Sequence, residues 1–78
     1  MWEVHYSREA AAYLEDNAAL ITSLFFAIES LAAADGKPAT GEYQEVQGLT
    51  HWRVQEHMVV LRHIEQSRIV RVLVLKPN

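Results

Sequence analysis

One segment of the chain, Asp35 to Gly41 (DGKPATG), is dense in helix and strand breakers, and the apolar pattern changes period across it. Before it, Leu20, Ile21, Leu24, Phe25, Ile28, Leu31 and Ala32 recur at spacings of one, three and four. That stripe predicts an amphipathic helix ending near Ala34, with Asp35-Gly36 as its stop. Beyond the segment the pattern alternates: Tyr43 to Val46, Trp52 and Val54, the apolar run Met58 to Leu61, and Arg68 to Leu75 read as strands. A helix stripe and half-buried strands each need a covered face, and 78 residues make one modest core. The chain is therefore expected to be a single α+β domain over residues 1–78, with its helices on one face of an antiparallel sheet.

The helical half is itself preceded by a strand. Trp2, Val4 and Tyr6 alternate with Glu3 and His5, and Ser7 follows where a helix N-cap belongs, with Glu9 in the first turn. Ala10, Ala11, Tyr13 and Leu14 give this first helix its apolar side, Asp16-Asn17 breaks it, and the two helices read as a hairpin. After the breaker segment, short turns at Gln47-Gly48 and Glu65 to Ser67 imply antiparallel neighbours. The expected order is one strand, a two-helix hairpin, then a three- to four-stranded antiparallel sheet.

Charge divides at the same place. Residues 1–35 hold one basic and six acidic residues, a net of −5, whereas residues 36–78 hold six basic and four acidic, a net of +2. The overall −3 argues against a generic nucleic-acid binder, but the strand half alone does not. No cysteine is present, which excludes a disulfide framework, a thiolate metal site and a cysteine nucleophile. The opening residues lack the pattern of a signal peptide and no apolar run nears the roughly 20 residues of a membrane span, so a soluble, cytoplasmic protein is expected. The three glycines, at 36, 41 and 48, exclude a GxGxxG phosphate loop.

Four residues are candidates for catalysis: Arg53, His57, His63 and Lys76. Arg53 lies mid-strand between Trp52 and Val54 and offers a planar fork of donors for a phosphate. Its alternative is a cross-strand ion pair with Glu45 or Glu56, worth about 0.2–1 kcal/mol. With Val70, Val72 and Val74 on one face of the last strand, Arg71, Leu73 and Leu75 fall on the other, so Arg71 joins Arg53 and Lys76 as a candidate phosphate contact. Arg62 shares its parity with Val60 and Ile64 and is expected on the core side, in a structural role. A histidine or a glutamate can act as general base on a ribose 2′-hydroxyl, with the arginines and Lys76 stabilising the charged phosphorane. His51, His57 and His63 are six residues apart, a spacing that matches no ligand motif, so neither a metal nor a cofactor is expected.

Several of these segments, in this order, resemble the RelE/ParE toxin superfamily: Trp2 to Ala10 (WEVHYSREA), Gly41 to Val46 (GEYQEV), His51 to Val54 (HWRV), and the hairpin from Met58 to Leu75 ending in Lys76. The resemblance covers almost the whole chain. It implies the toxin half of a bacterial toxin–antitoxin pair, held by a cognate antitoxin. It further implies either a ribosome-dependent, metal-independent mRNA endonuclease or a ParE-like inhibitor of DNA gyrase. On this resemblance Arg53 matches the arginine of the central strand and Lys76 the basic cluster after the last one. Where the family often carries a tyrosine–arginine pair this chain has Met58-Val59, so Val59 replaces an arginine that RNA-cleaving members use. That departure leaves open a catalytically inactive homologue acting only as a protein-binding module. A free edge strand would promote a homodimer.

Overall fold

A computed structural model describes all 78 residues. Strand β1 (Glu3–Tyr6) leads into helix α1 (Arg8–Asp16), which is followed by helix α2 (Thr22–Glu29) and a single 3-10 turn (Ser30–Ala33). Then come β2 (Glu42–Val46), β3 (Leu49–Val54), β4 (His57–Ile64) and β5 (Ile69–Pro77). The strands form one sheet in the order β1-β5-β4-β3-β2. The architecture is α+β as expected, and the last four strands are antiparallel neighbours. The sheet as a whole is five-stranded and mixed, because β1 pairs in parallel with β5. The two helices make that possible by carrying the chain from the end of β1 across one face.

Ser7 explains how so abrupt a passage from strand to helix is held. Its hydroxyl oxygen accepts from the Ala10 amide at 3.1 Å as the α1 N-cap and donates to the Leu73 carbonyl at 2.7 Å. Leu73 is the extra residue of a bulge: Leu61 faces Val72 and Val60 faces Val74, so β5 changes phase there. Val70 and Val72 stay in the core, but Val74 emerges at 37% exposure and Leu75 is buried at 7%. The unbroken alternation expected through Val74 is thereby corrected.

Twelve apolar side chains make the core, with Trp52, Leu24, Ile28, Leu31 and Leu61 the bulkiest of them. The Trp52 indole N–H donates to the Thr40 carbonyl at 2.8 Å, tying the breaker segment to β3. The expected second helix is shorter than its stripe. Residues 17–20 form a turn, so Leu20 is 85% exposed, and α2 gives way to the 3-10 turn at Ser30. On β4 the buried residues are Val59 and Leu61, which sets Arg62 on the opposite, exposed face. The core-side placement expected for Arg62 is thus corrected. No helix is long and apolar enough to cross a membrane.

Candidate nucleic-acid interface

Both helices lie on the face that carries Thr50, Trp52, Val59, Leu61, Val70 and Val72, leaving the other face of the sheet uncovered. Strand alternation and the observed register decide what that open face presents. One row crosses the sheet through Glu42, Arg53, Met58 and Lys76, on β2 to β5. The next contains Gln44, His51, Val60 and Val74, and a further row contains Arg62, Arg71 and His5. Four of the chain's seven Lys and Arg residues therefore share this surface, and Arg53, Arg62, Arg71 and Lys76 are all exposed. Its acids are Glu3 and Glu42, one on each edge strand.

None of the four cations is neutralised. The one contact of ion-pair geometry in the structure is the hydrogen bond between His5 and Glu3, at 3.1 Å. Arg53 faces Glu42 in register but makes no ion pair with it, and the pairing with Glu45 or Glu56 weighed from the sequence does not form. Gly41 sits behind the Arg53 backbone: an added Cβ would lie 2.3 Å from the Arg53 carbonyl oxygen. A shallow groove of about 440 Å³ runs along this end of the open face, lined in part by Arg53, His51, Met58 and Glu42. A larger concavity, about 510 Å³, lies between Trp2, Lys37, Tyr43, His63 and Arg68 and includes no residue of the open-face cation rows.

The histidines proposed for proton transfer are on the covered side. His57 packs edge-on against Tyr13 of α1, with ring centroids 5.6 Å apart. Its Nδ1 lies 2.7 Å from the Gln55 carbonyl, which only accepts, so Nδ1 carries a proton. In the neutral ring Nε2 is then the acceptor for the Tyr13 hydroxyl, at 2.7 Å. His63 packs edge-on against Trp2 and donates from Nε2 to the Gly36 carbonyl, pinning the start of the breaker segment. Both rings are thus engaged in holding helix and loop to the sheet. The sheet separates them from Arg53, Arg71 and Lys76, so the candidate catalytic set does not converge on one reacting atom. His51 and Arg62 are on the open face instead, and sequence reasoning assigned neither to it. Counting by two from Arg53 would have found His51; no comparable count reaches Arg62 through the apolar run before it.

No group of three or more His, Asp or Glu side chains is placed to hold a metal ion. Tyr6, from β1, donates to a Glu29 carboxylate oxygen at 2.5 Å, and burial together with that carboxylate pushes its phenol well above the usual range. Compared with models of protein families, with curated proteins and with solved structures, the chain gives no match.

Proposed function

We propose that the protein is the toxin-like component of a toxin–antitoxin pair, held by a cognate antitoxin, and that its open sheet face contacts the phosphate backbone of RNA. The observation that carries this reading is the arrangement strand, two helices, four strands, with the helices on one face and unneutralised cations on the other. The order supports a RelE/ParE-like fold. The charge supports a polyanion as ligand, because exposed guanidinium groups without counter-ions gain most from phosphate. Arg53 lines the open-face groove, and Lys76 stands opposite Met58, which lines it too.

A second reading, a protein-binding module without catalysis, is favoured by the placement of His57 and His63. A base acting on a ribose 2′-hydroxyl must reach it while the cations hold the neighbouring phosphate, and these two rings lie across the sheet. Inducing the chain alone in bacteria, with and without Arg53→Ala, tests both. Translation arrest that Arg53→Ala abolishes supports the ribosome-dependent endonuclease. Loss of DNA supercoiling points to gyrase instead. Unaffected growth at confirmed soluble expression overturns the toxic function and leaves the binding module.

A further inference from the structure

Arg62 and Arg71 stand directly opposite each other on neighbouring strands, and His5 continues the same row on β1. Side chains in such a pair have Cβ atoms about 4.5–5.5 Å apart, and like charges there destabilise a sheet. No carboxylate pairs with either arginine, and Glu3, the acid on that edge of the face, stands opposite Ile69 rather than in the row. Two adjacent guanidinium groups and an imidazole on an open face suit a ligand that brings at least one negative charge and several acceptor oxygens.

The position of the row says more about the ligand. Arg62 is four residues along β4 from Met58, which lies between Arg53 and Lys76, so the two cation rows are roughly 14 Å apart. That span exceeds one step between neighbouring phosphates of a single strand. The row between them offers Gln44, His51, Val60 and Val74, an amide, an imidazole and two aliphatic side chains, with no carboxylate, lysine or arginine. The His51 imidazole can stack on a base and the two valines give it apolar contact, while cations on either side take the phosphates. An acidic peptide would find the cations equally attractive but would gain little from the intervening row.

We infer that Arg62, Arg71 and His5 form a second phosphate site, which binds a single-stranded RNA running along β4 from the Arg53–Lys76 row across His51. The inference rests on the open-face reading above and divides its four cations between two separate phosphate sites on one strand of RNA. The test is binding of a short fluorescein-labelled oligouridine to the full chain over a range of salt concentrations, with the double variants Arg62→Gln/Arg71→Gln and Arg53→Gln/Lys76→Gln. Loss of the second site should weaken binding about tenfold at low salt and lower the slope of log K against log salt by about 0.7, the value for one single-strand phosphate. The melting temperature of Arg62→Gln/Arg71→Gln should hold or rise, since a like-charge pair is removed. RNA binding that this variant leaves unchanged, while Arg53→Gln/Lys76→Gln weakens it, overturns the second site and spares the first reading. Absence of RNA binding by the unaltered chain overturns both. Polyglutamate competing as well as oligouridine at equal charge overturns the assignment to RNA.

Discussion

Tyr6 shows how much one polar contact can bind together in so small a protein. Its ring packs against the core from β1 while its hydroxyl reaches Glu29 at the end of α2, so a single side chain joins the first strand to the second helix. Burial and the carboxylate both oppose ionisation in the folded state. An unfolded tyrosine ionises near ~10, so above that pH the unfolded chain has released a proton that the folded one retains, and stability falls as pH rises. The full contribution is present below pH ~10. Chemical denaturation at pH 8 and pH 11 should therefore show an alkaline loss of stability, and Tyr6→Phe should shrink it; an equal loss in both proteins would refute the account. Gly41 is constrained differently. At φ +78° it occupies the left-handed region, and the Arg53 carbonyl leaves no room for a methyl group. Gly41→Ala should lower stability by about 1–3 kcal/mol, read from the thermal midpoint, and should disturb Arg53 more than any other candidate phosphate contact.

At the scale of elements, turn chemistry and alternation decide what could be read in advance. The Ser7 cap, the break after Asp16, the loop at Asp35 to Gly41 and the mid-strand position of Arg53 between Trp52 and Val54 were all legible, because each rests on a local signal. The face of Arg62 was not. Met58 to Leu61 is apolar throughout and has no period, so nothing in it distinguishes Val59 and Leu61 from Met58 and Val60 as the buried pair. The bulge at Leu73 was equally hidden, since it answers to the Ser7 hydroxyl 66 positions away. The parallel pairing of β1 with β5 likewise joins the two ends of the sequence. The β3–β4 turn carries a local conflict of its own: Gln55 and Glu56 have φ of 50° and 60°, a two-residue turn that favours Asn-Gly. Gln55→Asn/Glu56→Gly should raise stability by about 1 kcal/mol with His57 still bonded to Tyr13. An unchanged or lower melting temperature would show that the backbone is not strained there.

For the molecule as a whole, the decisive quantity is the ratio of core to surface. A 78-residue domain has a total stability of roughly 4–12 kcal/mol, at about 0.05–0.15 kcal/mol per residue. Leu24 is fully enclosed between helix and sheet, and cutting such a leucine to alanine costs about 2–5 kcal/mol, a large part of that total. Phe26, two positions along the same helix, is 66% exposed and has almost no burial to lose. Leu24→Ala should therefore shift the unfolding midpoint sharply downward and populate the unfolded chain at 37 °C, whereas Phe26→Ala should leave the unfolding free energy within about 0.5 kcal/mol of the parent. The contrast also bears on function, because any surface formed by the open face depends on strands held in register from behind. On the proposed reading of the open face as an RNA contact, RNA affinity should accordingly fall with the folded fraction in Leu24→Ala and recover on cooling. In Phe26→Ala it should stay at the parent value at every temperature where the parent is folded, and a loss there would mean that the helical side, not the open face, carries the contact.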